Sequence, residues 1–300
     1  MSAREYRDTL DGRLSSQTVK LVATPSEYDE LLPSARIITG FEIDAEAVDR
    51  AANLELFACT FAGTDHLPLS AFEANDVQVT NASGVHGPNA AEQALASVLS
   101  FARGLDHGWA QSQAGTWSHY QADELYGSTV TVVGMGSIGG AIIDRLAPFG
   151  VETIGVRNSP SKGGDADTVV GIEQLPEILP RTDYLVLACP LTEETTQLVD
   201  TAALERLPPD SVVVNIARGQ VVDTDALHAA LQTNELRGAA LDVTDPEPLP
   251  DDHPLWSHNN CLITPHNAGH TPRYWDRMAD IIAENVDRLE TDEPLRNQAN

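Results

Sequence analysis

The sequence predicts an α/β protein made of two successive units, each built on a parallel β-sheet. Short apolar segments alternate with helical patterns along most of the chain, which is typical of sheets whose strands run parallel. The apolar segments of the second half are continuously apolar, as expected for strands covered by helices on both faces. A length of 300 residues suits two compact domains, and a hydrophobic content of 42% supplies enough apolar surface for their cores.

The first series of elements extends from residue 19 to residue 81. Its apolar, β-branched segments predict the strands VKLVAT (19–24), ARIIT (35–39), LELFACT (54–60) and VQVTN (77–81). The segments AEAVDRAANL and LSAFEAND, which lie between them, have the periodicity of helices. Residues 88–111 then predict one long helix that starts with Pro88 and connects the two domains.

The second series follows this helix and ends with a helix over residues 271–290. Helical patterns such as IGGAIIDRLAPF and TDALHAALQT separate its strands. The predicted strands are TVTVV (129–133), VETIGV (151–156), YLVLAC (184–189), SVVVNIA (211–217), GAALDV (238–243) and CLITP (261–265). Two successive β/α units are therefore the simplest architecture for the chain.

The chain is strongly acidic, with 45 acidic and 18 basic residues and a formal net charge of −27. The acids are dispersed along the sequence, which indicates a surface that repels its neighbours unless salt screens it. We therefore expect a protein from a salt-rich cytoplasm, and the alternative is an ordinary acidic enzyme. A nucleic-acid partner is excluded, since no basic face exists to neutralise phosphates.

Cysteine usage and hydropathy point to a reducing compartment. Cys59, Cys189 and Cys261 are widely spaced, which fits buried free thiols and neither a disulfide framework nor a zinc site. His266 and His270 are four residues apart without an obvious third ligand, so we expect no metal site. The N-terminal residues lack an apolar signal region and no apolar run is long enough to span a membrane, which predicts a cytoplasmic protein without a membrane partner.

A glycine-rich turn follows the first strand of the second series. The residues Gly134, Met135, Gly136, Ser137, Ile138 and Gly139 fit G-x-G-x-x-G between strand TVTVV and helix IGGAIIDRLAPF. In this context the first glycine permits a tight turn, the second lets a pyrophosphate approach, and the third lets the helix pack closely on the strand. The pattern predicts a Rossmann-like or flavodoxin-like domain that binds a dinucleotide, and the alternative is a glycine turn with a purely structural role.

The residues after the next strand predict which dinucleotide is bound. Sites that take NAD place a carboxylate about 20 residues beyond the glycine turn, where it holds the ribose hydroxyls, whereas an arginine nearby suits a 2′-phosphate. Here strand VETIGV is followed by Arg157, Asn158 and Ser159. We therefore expect NADP(H) to be preferred and NAD(H) to be possible, the alternative being that Arg157 is only a surface arginine.

Three polar segments follow later strands of the same series. Arg218 comes after SVVVNIA, Glu247 after GAALDV, and His266 after CLITP. Ligands of open α/β sheets bind outside the carboxyl ends of the strands, so these side chains can converge. A protonated histidine can supply a proton to a developing oxyanion, a glutamate favours the charged histidine, and arginine binds a carboxylate. Each residue taken singly is equally explained as an exposed or structural group.

Several segments together carry a family resemblance that extends from residue 61 to residue 269. The segments are GMGSIG, PLTEET, NIARG, LDVTDPEPLP and TPHNAG. Through them the chain resembles the D-2-hydroxyacid dehydrogenases, which include phosphoglycerate dehydrogenases and glyoxylate/hydroxypyruvate reductases. The resemblance implies a dinucleotide-binding domain, residues 89–272, inserted into a substrate domain formed by residues 1–88 and 273–300. It further implies a homodimer and a site in the cleft between the domains, whose closure excludes water.

The resemblance also assigns roles to individual residues. His266 matches the acid–base histidine, which also lies beside the cofactor, Glu247 matches its carboxylate partner, and Arg218 matches the arginine that binds the substrate carboxylate. Asp242 matches an aspartate that contacts the nicotinamide carboxamide. Backbone N–H groups of Ala62, Gly63 and Thr64 match a loop that holds the substrate carboxylate. Residues matching the lining of the cofactor site are Cys189, Pro190, Leu191 and Ala217.

The expected reaction is the reduction of 2-keto acids to D-2-hydroxy acids with NAD(P)H. Alternatives on the same fold are a phosphoglycerate-, phosphite- or formate-type dehydrogenase and a dinucleotide-sensing protein similar to the C-terminal-binding corepressors. Contacts with the substrate side chain are expected around Phe61, His86 and Trp275. Arg157 departs from the acidic residue of many NAD-using members, and we expect no regulatory domain after residue 300.

Overall fold

The computed structural model describes residues 3–14 and 16–300. In chain order, its strands are β1 (Ile37–Gly40), β2 (Leu56–Cys59), β3 (Gln78–Thr80), β4 (Thr129–Val133), β5 (Glu152–Val156), β6 (Thr168–Val170), β7 (Tyr184–Leu187), β8 (Val212–Asn215), β9 (Gly238–Leu241) and β10 (Cys261–Ile263). Its α-helices are α1 (Ala3–Arg13), α2 (Pro25–Leu31), α3 (Ala45–Arg50), α4 (Leu69–Ala74), α5 (Gly87–Ala102), α6 (Leu105–Gln113), α7 (Ser137–Leu146), α8 (Leu175–Ile178), α9 (Thr201–Leu204), α10 (Thr224–Thr233) and α11 (Tyr274–Thr291).

The chain forms two compact units, and the first is discontinuous in sequence. It contains the residues up to Val85 together with Thr271–Asn300, while His86–His270 form the second. The sequence predicted boundaries after residues 88 and 272, a few residues beyond these positions. In the first unit, the described residues form a parallel sheet in the order β1-β2-β3, and Phe57 and Phe72 are fully buried against one of its faces. Helix α11 contributes Met278 and Ile282 to the other apolar cluster of this unit.

The second unit, all of whose residues are described, is built on a seven-stranded sheet. Its strand order is β10-β9-β8-β7-β4-β5-β6, and every neighbouring pair is parallel. The order reverses between β4 and β7, which is the switch point where doubly wound sheets bind ligands at the carboxyl ends of their strands. The central strands are buried along their length because helices cover both faces of the sheet. The predicted α/β fold with two parallel sheets is confirmed.

The strand predicted over residues 19–24 is wrong. No described residue of this segment pairs with a strand, and Val22 is largely exposed. The backbone N–H groups of Ala23 and Thr24 donate instead to the Glu27 carboxylate, in the capping box that starts α2. Local side-chain acceptors therefore take the donors that a sheet ladder would need. The sheet of the first unit consequently runs in simple sequential order.

The single helix predicted over residues 88–111 is also wrong, since the structure divides it into α5 and α6. The break lies at Gly104, which has a left-handed φ of +59° and precedes α6. A Cβ at this position would lie 2.8 Å from Cε2 of Tyr120, so the ring of Tyr120 occupies the space a side chain would need.

Among the described residues, no helix is long and apolar enough to cross a membrane.

Candidate active site

The glycine turn joins β4 to α7 as the sequence predicts. Gly134 has a φ of +100°, and a Cβ there would lie 2.6 Å from the backbone of Ala188. A Cβ on Gly139 would lie 1.8 Å from the carbonyl oxygen of Gly134, so only glycine lets α7 start this close to the strand. Both glycines are required by the approach of one backbone segment to another.

The same turn fits a phosphate group. Helix α7 begins at Ser137, and the first-turn N–H groups of a helix have no acceptor within the helix. Gly136 faces open space, since a Cβ built on it meets no atom within 4 Å. A pyrophosphate can therefore approach the backbone here. Met135 packs in another direction, against Gly155 of β5.

The β5 loop (residues 157–164) contains the residues predicted to determine whether NADP(H) or NAD(H) is bound. Nη1 of Arg157 donates to the carbonyl oxygen of Gly163 at 2.6 Å, which fixes the half-buried guanidinium inside the loop. Nδ2 of Asn158 donates to a carboxylate oxygen of Glu194 at 2.7 Å. Ser159 is exposed, and its carbonyl oxygen accepts from the backbone N–H of Lys162.

The residues predicted to line the cofactor lie at the ends of β7 and β8. Cys189 is buried directly behind Gly134, and its burial raises the pKa of its thiol to about 11, so it contributes a neutral apolar surface. Pro190 and Leu191 follow it and are exposed. Ala217 is buried, and its backbone N–H donates to Oδ1 of Asn215. All four residues therefore lie at the carboxyl edge of the sheet, which is the edge that carries the glycine turn.

His266 and Glu247 meet at the carboxyl ends of β10 and β9. Nδ1 of His266 and Oε1 of Glu247 are 2.6 Å apart, and the two side chains are 48% and 41% exposed. Because Nδ1 is engaged by the carboxylate, Nε2 is the ring nitrogen left to face a ligand. His266 has a left-handed φ of +53°, which is uncommon for a residue other than glycine.

Asp242 holds the His266 loop (residues 264–268) in place. Its side chain is only 3% exposed, and its Oδ1 accepts hydrogen bonds from the Thr264 hydroxyl and from the backbone N–H of Asn267. Oδ2 accepts from the backbone N–H of Ala268 at 2.8 Å, and the Asp242 carbonyl accepts from the backbone N–H of His266. Both carboxylate oxygens thus accept hydrogen bonds from the protein, which makes Asp242 a positioning residue for His266.

Arg218 lies in the loop after β8 with an exposed side chain. Its Nη1 donates to the carbonyl oxygen of Ala217, and its own carbonyl accepts from Nδ2 of the buried Asn215. A Cβ on the next residue, Gly219, would lie 1.9 Å from the carbonyl oxygen of Thr244. The loop of Arg218 therefore packs directly against the loop that leads to Glu247.

The turn Ala62–Gly63–Thr64 belongs to the first unit, where it follows β2. Ala62 and Gly63 are exposed, and the carbonyl oxygen of Thr64 accepts from the backbone N–H of Leu67 at 2.9 Å. Of the remaining residues expected near the substrate, His86 belongs to the second unit, where its ring lies beside Gly269. Trp275 belongs to the first unit and packs against Tyr6 with ring centroids 4.5 Å apart.

Comparison with known proteins identifies the family. Residues 95–268, more than half of the chain, match the D-isomer specific 2-hydroxyacid dehydrogenase, NAD binding domain. The chain belongs to the D-isomer specific 2-hydroxyacid dehydrogenase family. The family resemblance carried by the sequence motifs is thereby confirmed, and the matched residues place the NAD-binding domain of this family in the second unit.

Three relatives of this dehydrogenase illustrate the similarity. Human glyoxylate reductase/hydroxypyruvate reductase is 34% identical over 251 residues, which cover 81% of this chain and 76% of the human protein. D-3-phosphoglycerate dehydrogenase from Mycobacterium leprae is 34% identical over 89% of this chain, but the chain spans only 50% of that protein. A crystal structure of a D-isomer specific 2-hydroxyacid dehydrogenase from Xanthobacter autotrophicus, in complex with NADPH and MES, has a TM-score of 0.78 and 29% identity and covers 100% of this chain and 95% of the other.

Two residues beside Arg157 and Asn158 were not among the site residues that the sequence predicted. Lys162 lies in the β5 loop, five residues after Arg157. The rarity of lysine could have drawn attention to it, because the chain contains only two lysines. Glu194 was noticed only as part of the acidic surface, although it bonds to Asn158.

Within residues 3–14 and 16–300, no group of three or more His, Cys, Asp or Glu side chains is arranged to hold a metal ion, and His270 bonds to Asn267.

Proposed function

We propose that this dehydrogenase reduces 2-keto carboxylic acids to D-2-hydroxy acids with NAD(P)H, and that it prefers NADPH. The observation that carries the proposal is the 2.6 Å contact between Nδ1 of His266 and Oε1 of Glu247. A histidine oriented by a carboxylate, with Nε2 exposed, suits proton transfer to a substrate oxygen. The relatives named above act on small 2-keto or 2-hydroxy acids by their names, which supports the same class of substrate here.

Hydride transfer and proton transfer are provided by different groups. When held at the glycine turn, NAD(P)H would supply a hydride for C2 of the keto acid. His266 donates the proton from Nε2 to the former carbonyl oxygen, and Glu247 stabilises the protonated ring through Nδ1. In the reverse direction, the same nitrogen accepts the hydroxyl proton.

Arg218 binds the substrate carboxylate and stabilises the charge that develops on the carbonyl oxygen. Its exposed guanidinium keeps donors available beyond the single bond from Nη1 to Ala217. The backbone N–H groups of Ala62, Gly63 and Thr64 retain their proposed role in binding the substrate carboxylate. Asp242 positions the His266 loop, and Oδ2, which accepts a single hydrogen bond from Ala268, can still accept one from the nicotinamide carboxamide, the role that the family resemblance implies.

The preference for NADPH rests on the β5 loop. Arg157 follows β5 where an NAD site would carry a carboxylate, and Lys162 adds a second cation to the same short loop. The Xanthobacter relative was crystallised with NADPH, which supports the assignment. Glu194 acts against it, because its carboxylate bonds to Asn158 and repels a 2′-phosphate.

The test is the oxidation of NADPH and NADH with a panel of 2-keto acids in molar KCl, for the wild type and for His266→Asn. Asparagine tolerates the left-handed backbone of this position better than alanine does, so the variant isolates the loss of the ring. We expect kcat to fall by roughly 10²–10⁴-fold with both coenzymes. His270→Asn is the matched control, since His270 is an exposed histidine four residues away that bonds to Asn267.

Two results would contradict the proposal. A His266→Asn variant that keeps most of its kcat removes the histidine from proton transfer. Coenzyme binding without turnover of any keto acid favours a dinucleotide-sensing protein instead.

The proposal extends to the setting of the enzyme. We place it in a salt-rich cytoplasm, because a net charge of −27 is tolerated best where salt screens it. The homodimer rests on the family resemblance alone. The melting temperature should then rise between low and molar KCl. A melting temperature that stays constant over this range contradicts the salt-rich setting, and the mass in solution tests the dimer.

A further inference from the structure

Two phenylalanines are exposed side by side in the first unit. Phe41 follows β1 and is 47% exposed, and Phe61 follows β2 and is 53% exposed. Their ring centroids are 4.5 Å apart with an interplanar angle of 64°, which is an edge-to-face contact. Phe57 and Phe72 of the same unit are fully buried, so the exposed pair is not needed for the apolar core.

The pair is held on a fixed backbone although its rings are exposed. The backbone N–H of Phe61 donates to Sγ of Cys59 at 3.4 Å, and its carbonyl oxygen accepts from Ala82 at 3.0 Å. His66 stacks on the ring of Phe41 with centroids 4.7 Å apart, and its Nε2 lies 2.8 Å from the Phe41 carbonyl oxygen. An ordered apolar surface at the carboxyl ends of parallel strands is suited to binding a ligand.

The neighbours of the pair indicate which part of a ligand it contacts. Phe61 directly precedes Ala62–Gly63–Thr64, the turn proposed to bind the substrate carboxylate. In a 2-keto acid, the side chain starts only two bonds from the carboxyl carbon. A carboxylate held at this turn therefore brings the side chain within reach of the ring of Phe61.

The two loops offer no basic side chain to a second anionic group on the substrate. Residues 41–44 and 61–68 contain Glu42, Asp44 and Asp65 and neither lysine nor arginine. A phosphate attached to the substrate side chain would meet repulsion here and no guanidinium to bind it. The surface is therefore complementary to an uncharged, apolar side chain.

We infer that Phe41 and Phe61 form the subsite for the substrate side chain, and that the enzyme takes 2-keto acids with aromatic or branched aliphatic side chains. The inference rests on the proposed function and specifies its substrate class. Glyoxylate, hydroxypyruvate and phosphorylated hydroxypyruvate leave this surface uncovered or place polar groups against it, so they are poorer substrates.

The experiment compares kcat/KM for phenylpyruvate, 4-methyl-2-oxopentanoate, glyoxylate and hydroxypyruvate in the wild type and in Phe61→Ala and Phe41→Ala. We expect the wild type to favour the first two by at least roughly tenfold, the range that apolar pockets reach for a few methylene groups. Each variant should raise the KM for these two by roughly tenfold and change the KM for glyoxylate by less than about twofold. Phe61→Leu, which keeps an apolar side chain, should restore the aliphatic substrate more than phenylpyruvate.

Val22→Ala is the matched control, because Val22 is a similarly exposed apolar residue of the same unit, at 41%. It should leave all four KM values unchanged. Equal losses for glyoxylate and phenylpyruvate in Phe61→Ala would overturn the subsite while leaving the proposed reaction intact, and so would a wild type that favours glyoxylate. Failure to turn over any keto acid would overturn the proposed function and the inference with it.

Discussion

The His266 loop and the β5 loop both lie at the carboxyl edge of the seven-stranded sheet, but they are held in opposite ways. The His266 loop is fixed by a buried carboxylate, Asp242, which accepts from Thr264, Asn267 and Ala268. The β5 loop is held near its surface by the bond from Arg157 to Gly163 and by the bond from Asn158 to Glu194. The residues proposed for proton transfer are thus positioned by a buried carboxylate, whereas those proposed for coenzyme choice are positioned by one part-buried and one exposed hydrogen bond.

This difference predicts how substitutions in the two loops act. A change behind the His266 loop disturbs the reaction with either coenzyme, because both use the same histidine. A change in the β5 loop alters the ratio of activities with NADPH and NADH and leaves the proton transfer intact.

The largest effect is expected for Asp242→Ala. The substitution removes the acceptor of two backbone N–H groups and a hydroxyl, so we expect kcat to fall more than about a hundredfold with both coenzymes. The free energy of unfolding should fall by about 3 kcal/mol, since hydrogen bonds to a buried charge are lost. Steady-state kinetics and thermal unfolding in molar KCl measure the two effects.

Two further variants serve as comparisons for Asp242→Ala. Asp242→Asn retains one acceptor oxygen and should lose less stability. Asp251→Ala removes an exposed aspartate of the same unit and should change neither quantity. If Asp242→Ala preserved kcat but changed the ratio of the activities with NADPH and NADH, the proposed difference between the two loops would be wrong.

Arg157→Asp should have the next largest effect. Replacing a guanidinium by a carboxylate removes charge-assisted bonds to a 2′-phosphate and adds repulsion, so the KM for NADPH should rise by about tenfold to a hundredfold. The KM for NADH should change by less than about threefold, and kcat should stay constant. Lys162→Gln should shift the same ratio in the same direction by less, and equal effects on both coenzymes would remove the β5 loop from coenzyme choice.

Glu194→Gln tests the opposing charge in this region. The amide can still accept the hydrogen bond from Asn158 but no longer repels a phosphate, so kcat/KM for NADPH relative to NADH should rise by about threefold. Glu193→Gln, at the neighbouring exposed glutamate, is the control. A ratio that falls in Glu194→Gln would mean that Glu194 supports NADPH binding.

The smallest effect is expected at the pair His228 and His258, which lies outside both loops. It concerns the pH dependence of stability, which has to be distinguished from the pH dependence of catalysis. Burial lowers the pKa of His258, with His228 as a second cause, and Nδ1 of His228 lies 2.8 Å from its Nε2. The unfolded chain therefore binds more protons as the pH falls through the ordinary histidine pKa of about 6.5, so unfolding becomes easier in acid. His258→Asn should flatten the fall of the melting temperature between pH 7.5 and pH 5.5 by about 2 °C or less. An unchanged slope would show that the pair does not contribute.

The sequence was sufficient wherever local chemistry decides the structure. The strand TVTVV and the glycine turn were predicted because buried parallel strands are continuously apolar and because Gly134 and Gly139 stand where backbone segments must approach. The positions of Arg218, Glu247 and His266 after three strands also followed from strand ends alone. The family and the α/β fold were therefore within reach of the sequence.

The remaining features do not follow from the apolar patterns of the sequence. Residues 19–24 have the composition of a strand, but Glu27 captures the backbone donors of Ala23 and Thr24. The break at Gly104 depends on Tyr120, sixteen residues further along the chain. The hydrogen bonds that Asp242 accepts from Thr264, Asn267 and Ala268 join residues more than twenty positions apart, so the sequence did not predict its role in positioning the His266 loop.

The discontinuity of the first unit has a consequence for biosynthesis. Helix α11 and the residues after it supply part of that unit: Met278 and Ile282 complete one apolar cluster, and the backbone N–H of Ala299 donates to the carbonyl oxygen of Val79. On the ribosome, His86–His270 can assemble their sheet as soon as they emerge, because all of its strands are contiguous in the chain. The first unit is therefore completed only after the second has been synthesised, because its apolar cluster and its sheet depend on residues about 200 positions further along the chain.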